Sequence, residues 1–164
     1  MVYIGTVINL RYYITRYIEP QGDLLKLFLI SILFIGTLFA TDAKEAAEKL
    51  DVESNFATAL KKARSEKKML VMVIVKKGCR WCDKMVYGTL VEPEVKEALK
   101  NYVTLIVDKD DAYPNVFKED FFPSIFYIDQ NSQKNVYENV GYIGKKCFLN
   151  DLRESLKTRD ELFR

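Results

Sequence analysis

The apolar residues of this chain recur with two different spacings, and each spacing predicts one type of secondary structure. Over residues 54–67 they fall at positions i, i+3, i+4 and i+7, namely Phe56, Ala59, Leu60 and Ala63. This spacing predicts an amphipathic helix with Ser54 as its N-cap. The next segment, Met69–Val75, is a continuous apolar run rich in β-branched residues. Such a run is typical of a strand covered on both faces, so we expect it at the centre of a sheet.

The rest of the chain continues this alternation of helical and strand patterns. Helices are predicted at residues 80–87, 92–100 and 149–163. Strands are predicted at Tyr102–Val107, Ser124–Ile128 and Asn135–Val140. The last two strands are joined by the polar turn DQNSQ. The resulting order, α-β-α-β-(α)-β-β-α, predicts an α/β fold with helices layered on a mixed central sheet.

The first 40 residues differ in character from the rest. Residues 24–40 read LLKLFLISILFIGTLFA, carry no charge from Leu27 to Ala40, and are followed at once by a charged run. The stretch is shorter than the ~20 apolar residues of a membrane span and matches the apolar region of a signal peptide. We therefore expect a signal peptide cleaved after Ala40 or Ala43, with an uncleaved membrane anchor as the alternative.

Residues 1–23 precede this stretch and are longer than the short basic start of an ordinary signal peptide. They are interpreted either as an upstream extension or as a genuine amphipathic or strand-like segment. Residues 41–164 then form the third predicted part, a nearly neutral globular domain.

Composition limits the functions that this domain could have. A chain of 164 residues and 19.1 kDa predicts a single domain. The net charge of +2 provides no broad positive field for nucleic acid, so we expect no nucleic-acid partner. The chain has no histidine, which excludes Ser-His-Asp and Cys-His catalysis, zinc sites with histidine ligands and C-x-x-C-H haem attachment.

Two of the three cysteines form a C-x-x-C pair at a predicted strand-to-helix junction. Cys79 follows the apolar strand by the turn KKG, and Cys82 lies three residues further on, where a helix should begin. Residues i and i+3 of a helix lie ~5–6 Å apart at Cβ, so a small adjustment permits a disulfide. The free N–H groups of the helix start favour the thiolate form of the first cysteine. The neighbouring Lys76, Lys77 and Arg80 act in the same direction, whereas the carboxylate of Asp83 opposes it.

Two structural alternatives exist for this pair: a static disulfide, or half of a zinc site shared with another chain. Zinc usually takes four ligands, and Cys147 is the only further thiolate. A bridge that closes so small a loop stabilises little through loop closure. Redox chemistry is therefore the favoured interpretation, and Cys147 is predicted to be a small buried or half-buried residue.

The segments MLVMVIV, GCRWCDKM and FFPSIFYID together resemble the thioredoxin superfamily. The resemblance covers most of residues 50–162, and it is nearest to exported thioredoxin-like proteins of the SoxW type and to the C-terminal domain of DsbD. It implies a thioredoxin fold, with a mixed sheet of about four to five strands and helices on both faces. It also implies that Cys79 is the attacking nucleophile and that Cys82 is the resolving cysteine.

The resemblance further implies that Pro123 is a cis-proline facing the disulfide across a groove, where neighbouring backbone pairs with an extended substrate. The predicted substrate-binding residues are Arg80, Trp81, Phe122, Pro123 and Ser124. Trp81 is expected to be a partly exposed apolar platform for a partner.

Three departures from the family pattern bear on rate and potential. The dipeptide between the cysteines is Arg80-Trp81, and Gly78 stands where thioredoxin has a tryptophan before the first cysteine. The position of thioredoxin's buried acid falls at Val73. Water, Glu92 or another group would have to assist proton transfer at the second cysteine.

The sequence therefore predicts an exported, periplasmic thiol:disulfide oxidoreductase that uses this dithiol, with no other cofactor and no metal. Expected partners are protein thiols and disulfides together with a membrane electron-transfer partner, and the chain is expected to be a monomer. The indications favour a reductase slightly over an oxidase. The alternative is a non-catalytic polypeptide-binding or chaperone-like module with the same fold.

Overall fold

The computed structural model describes residues 42–163 of the chain. The predictions for residues 1–23 and 24–40, and the proposed cleavage after Ala40, lie outside the described residues. Between Asp42 and Phe163, no helix is long and apolar enough to cross a membrane.

The described residues alternate between helices and strands. The α-helices are Ala43–Leu50 (α1), Phe56–Glu66 (α2), Arg80–Lys84 (α3), Pro93–Leu99 (α4) and Lys145–Leu162 (α5). The strands are Met69–Val75 (β1), Tyr102–Asp108 (β2), Ser124–Ile128 (β3) and Asn135–Val140 (β4). A π-helical turn spans Met85–Thr89, and a 3₁₀ turn spans Asn115–Phe117.

The four strands form one mixed sheet in the order β2-β1-β3-β4. The β1 strand pairs in parallel with β2 and antiparallel with β3, and β3 pairs antiparallel with β4. All seven residues of β1 are buried. The prediction of a mixed sheet with Met69–Val75 at its centre is therefore confirmed.

Helices cover both faces of the sheet, as predicted. Since successive side chains of β1 point to opposite faces, the strand contributes to two separate cores. Met69, Val71, Val73 and Val75 pack in one core with α1, α4, α5 and Cys82. Leu70, Met72 and Ile74 pack in a second core with α2 and the 3₁₀ turn.

The N-terminal boundaries of the first two helices differ from the sequence predictions. Asn55, not Ser54, caps α2, because the Asn55 side chain accepts the N–H of Thr58 at 3.0 Å. The α1 helix was not predicted at all. It begins after Asp42, whose carboxylate accepts backbone N–H groups in the first turn, and it buries three alanines against the sheet.

The helix predicted over residues 80–87 is two elements. The α3 helix ends at Lys84, and the chain continues as the π-helical turn. The hydroxyl of Thr89, at the end of that turn, donates to the carbonyl of Ile143 at 2.9 Å. The final helix also begins earlier than residue 149, at Lys145.

Candidate functional site

Cys79 lies where the central strand meets a helix. The strand β1 ends at Val75, and the chain turns through Gly78, whose φ of 73° is a backbone conformation that favours glycine. The N–H of Cys79 closes this turn by donating to the carbonyl of Lys76 at 3.2 Å. Cys79 is then the N-cap of α3, with an extended backbone. The central strand of the sheet thus fixes the position of this sulfur.

The two cysteines are free thiols in different environments. The Cys79 sulfur is half-buried and accepts the backbone N–H of Cys82 at 3.3 Å, as an N-cap side chain does. Cys82 is fully buried in the core beside β1. Burial is the main cause that raises the pKa of the Cys82 thiol to about 12, and the hydrogen bond with Cys79 adds to it. One sulfur is therefore accessible, while the other lies behind it and holds its proton.

No carboxylate stands at the strand position where thioredoxin has its buried acid. Val73 is fully buried there, among apolar neighbours of the same core as Cys82. Glu92, the substitute suggested by the sequence, lies 3.6 Å from the ammonium of Lys145. Asp83 is the carboxylate whose negative charge raises the pKa of Cys82. Because Asp83 directly follows Cys82 in the sequence, its effect on the pKa of the Cys82 thiol could have been predicted.

The segment before β3 lies across from Cys79. The Cys79 thiol donates to the carbonyl of Phe122 at a sulfur–oxygen distance of 3.7 Å. The Phe122–Pro123 peptide bond is cis, the geometry that the resemblance implies. Pro123 is buried, and its carbonyl accepts the N–H of Gly141 at 2.8 Å. In this segment, the carbonyl of Phe122 is the backbone group that faces the sulfur.

The structure does not bring Ser124 to the surface of the groove. Ser124 is fully buried, and its hydroxyl donates to the carbonyl of Phe121. Its backbone lies between two strands, in register with Ile74 on one side and Val140 on the other. We correct the assignment of Ser124 accordingly: it holds the cis-proline loop in place instead of contacting a substrate.

Trp81 is 49% exposed, consistent with the expected platform. Its indole stacks on the ring of Tyr142, with centroids 5.7 Å apart. The ammonium of Lys84 lies 4.5 Å from the Tyr142 ring centroid, and the Arg80 guanidinium lies 5.7 Å from the Trp81 ring centroid. Tyr142 was not predicted from the sequence, because its partner is 61 positions away and only the folded chain brings the two rings together.

An open pocket of about 250 Å³ adjoins Cys79. It is lined by Lys76, Lys77, Gly78, Cys79, Asp120, Phe121 and Phe122. Phe121 is 71% exposed, an unusual position for a large aromatic side chain. From the sequence, Phe121 is predicted to belong to an aromatic cluster that forms core and groove lining, and its exposed position fits the groove and not the core.

Cys147 does not follow its prediction. It is exposed on the first turn of α5, because Phe148, the next residue along the helix, takes the core position. Among residues 42–163, no group of three or more cysteine and acidic side chains could hold a metal ion.

A larger cavity of about 640 Å³ lies at the other end of the sheet, where β1 and β2 begin. It contains no cysteine. Several of its charges are paired within the chain: Lys62 with Glu53 at 2.9 Å, and Lys68 with Glu66 at 2.8 Å. Because Cys79 lines the smaller pocket and no cysteine lines the larger one, the smaller pocket is the candidate site.

Comparison with known proteins agrees with this geometry. A family described as thioredoxin-like matches residues 51–130. No curated protein matches the chain in a sequence search. A thioredoxin from Thermus thermophilus is 19% identical over 64% of this chain and 86% of its own, with a TM-score of 0.57.

Two further solved structures match at a TM-score of 0.50. One is a DsbH oxidoreductase, which is 18% identical over 64% of this chain and 83% of its own. The other is the reduced C-terminal domain of Neisseria meningitidis DsbD, which is 19% identical over 60% of this chain and 92% of its own. At such identities the similarity establishes the fold, and the predicted thioredoxin fold is confirmed.

Proposed function

We propose that this chain, which belongs to the thioredoxin superfamily, is a thiol:disulfide oxidoreductase with Cys79 and Cys82 as its reacting groups. One observation carries the proposal. The Cys79 sulfur is half-buried and accepts, at a helix start, the backbone N–H of Cys82, whose own thiol is fully buried three residues further on. An N–H donated to sulfur favours the thiolate, which is the form that attacks disulfides.

The reaction proceeds in two exchange steps. In the first, the Cys79 thiolate attacks one sulfur of the substrate disulfide. The substrate S–S bond breaks, a mixed disulfide forms, and the displaced sulfur leaves as a thiolate that takes a proton from solvent. In the second, Cys82 attacks the Cys79 sulfur and its proton passes to the substrate's remaining sulfur as that sulfur leaves. Two electrons move from the dithiol to the substrate, and no other cofactor takes part.

A substrate polypeptide binds beside Cys79 in an extended conformation. The carbonyl of Phe122 lies next to the sulfur, and once the thiol has reacted this carbonyl is free to accept a substrate N–H. Trp81 provides an exposed aromatic surface on the other segment that carries the site.

We also propose that the protein acts as an electron donor outside the cytoplasm. The apolar stretch at residues 24–40 supports export. The likeness in fold to a DsbD C-terminal domain supports the donor direction, although a thiolate-stabilising site would favour an oxidant. The reduction potential of the Cys79–Cys82 pair decides between the two. A value near −270 mV indicates a thioredoxin-like reductant, and one near −120 mV indicates an oxidant.

The test of the proposed function is disulfide reduction by the full chain, measured on insulin with a chemical reductant. We expect Cys79→Ser to abolish catalysis. Cys82→Ala should accumulate a mixed disulfide whose partner mass spectrometry can identify. Cys147→Ser is the matched control and should keep full activity. If a Cys79→Ser, Cys82→Ser variant kept the full activity of the native chain, the proposal would be contradicted. That result would indicate a polypeptide-holding module instead.

A further inference from the structure

The pocket beside Cys79 is lined by charged and apolar side chains that can favour some disulfide substrates over others. At about 250 Å³ it is smaller than the roughly 300–1,000 Å³ of drug-sized ligand sites. It has room for a short piece of polypeptide next to the reacting sulfur. The side chains on its rim therefore meet the residues that flank the substrate cysteine.

The charge on this rim is positive. Lys76 and Lys77 are both exposed, and within residues 42–163 neither forms an ion pair. Asp120 lines the same pocket, so two positive charges and one negative charge leave one positive charge in excess. Arg80, directly after Cys79, is also exposed. An acidic side chain on a substrate would find lysine ammonium groups that form no ion pair within the described residues, and the charge of Asp110 offsets part of the charge of Lys76.

The apolar part of the rim is Phe121. Its ring is 71% exposed, directly before the half-buried Phe122 and the cis peptide bond. Covering an exposed phenylalanine with an apolar side chain removes both surfaces from water and is favourable. The pocket thus offers an apolar contact and a cationic contact within a short span of substrate.

We propose that this pocket selects disulfide substrates whose cysteine is flanked by an acidic residue and an apolar residue. The inference rests on the proposed function and adds a substrate class to it. The lysines act on encounter and orientation, because exposed charges mainly steer association and suppress partners of like charge. Phe121 supplies the contact area. Asp120 weakens the preference that the lysines create.

The experiment compares symmetric peptide disulfides that differ only in the residue after cysteine: glutamate, glutamine or lysine. The second-order rate of reduction by the dithiol form of the full chain is followed by chromatography. At low salt we expect the glutamate peptide to react about fivefold faster than the lysine peptide, the effect of one or two exposed charge pairs. In ~1 M salt, where the screening length is about 3 Å, the ratio should fall towards one.

Variants assign the effect to individual side chains. Lys76→Gln with Lys77→Gln should remove the preference, and Asp120→Asn should increase it. The matched control, Lys61→Gln with Lys157→Gln, removes two exposed lysines outside the pocket and should leave the ratio unchanged. Hydroxyethyl disulfide, which is small and neutral, reports any change in the chemistry of the sulfur itself. Phe121→Ala should slow a peptide with leucine before its cysteine more than one with serine there.

The two proposals fail in different ways. If no peptide and no small disulfide is reduced, the oxidoreductase proposal is wrong and the substrate class falls with it. If all three peptides are reduced at equal rates at low salt, or if the control lysines matter as much as Lys76 and Lys77, only the substrate class is wrong.

Discussion

The Cys82 thiol is expected to keep its proton far above neutral pH, because the folded chain buries it completely. Its pKa is raised from an ordinary value of 9.0 to about 12. Three pKa units correspond to about 4 kcal/mol against the thiolate. At pH 7 the thiolate fraction is about 10⁻⁵, compared with about 10⁻² for a thiol of pKa 9.0. Resolution of a mixed disulfide by Cys82 therefore needs a change that lowers this barrier.

Formation of the mixed disulfide itself provides part of that change. Burial is the first cause of the raised pKa, and the hydrogen bond and charge of Cys79 are two further causes. Once Cys79 is bonded to another sulfur it carries no charge and no thiol proton, so its contribution disappears while burial remains. We expect the pKa of Cys82 to fall when Cys79 is capped, but to stay above 9.

Carbon NMR of the chain labelled at cysteine Cβ can test this expectation, because the shift of that carbon follows the charge on sulfur. One titration uses the reduced protein, and a second uses protein whose Cys79 has been converted to a stable thioether with iodoacetamide. The Cys82 signal should not titrate below about pH 10 in the reduced form and should titrate earlier in the capped form. Both samples carry Cys147→Ser, because the exposed thiol of Cys147 would also react with iodoacetamide. A Cys82 midpoint at or below pH 9 in the reduced protein would show that burial does not control this thiol.

Three further predictions concern the surroundings of the site. Iodoacetamide should label Cys79 before Cys147, because the Cys79 sulfur accepts a backbone N–H at a helix start; equal labelling of the two would show that this hydrogen bond does not activate the sulfur. Tyr142→Ala should move the fluorescence of Trp81, the chain's single tryptophan, to longer wavelength and lower the free energy of unfolding by about 1 kcal/mol; unchanged emission would mean that the stack does not shield the indole. Burial raises the pKa of Asp151 above 3.8, against hydrogen bonds from Tyr137 and Asn139, so its protonated form stabilises the fold and that contribution is lost as pH rises through the raised pKa. The native chain should therefore lose stability relative to Asp151→Asn in urea unfolding as the pH rises above 3.8 and through the raised pKa of Asp151, and a constant difference would show that Asp151 is not desolvated.

The β1 and β3 strands were predictable because buried strands form apolar runs in the sequence, and the less buried β4 strand was predictable from the polar turn before it. The β1, β3 and β4 strands begin and end at the predicted residues, Met69–Val75, Ser124–Ile128 and Asn135–Val140. Each lies between polar turns or loops, and β1 and β3 are apolar along most of their length because helices cover both faces of the sheet. Backbone pairing and core packing therefore favour the same boundaries.

The features that were not predicted either leave only a weak apolar pattern in the sequence or depend on contacts between residues that are distant in sequence. The α1 helix buries only alanines, which leave a weak apolar pattern within a charged run. The π-helical turn ends at Thr89, whose hydroxyl bonds to the carbonyl of Ile143, a contact between residues that are distant in sequence. The exposure of Phe121 is likewise set by the loop before the cis-proline, and an apolar residue in sequence reads as core. Of the residues that line the pocket beside Cys79, the sequence indicated Lys76, Lys77 and Phe122, whereas it gave no indication of Asp120.

The central strand that fixes the sulfurs also limits how their protons can move. Because Val73 takes the position of an acid, the strand beside Cys82 provides no carboxylate that could accept its proton. The charged groups that act on Cys82 are Cys79 and Asp83, and both raise its pKa, so neither draws the proton away in the reduced state. The group that does gain a proton in the exchange is the substrate sulfur that leaves Cys79. In the proposed reaction we therefore expect proton transfer from Cys82 to accompany departure of the substrate thiol, and we expect the rate of resolution to vary with the pKa of that thiol.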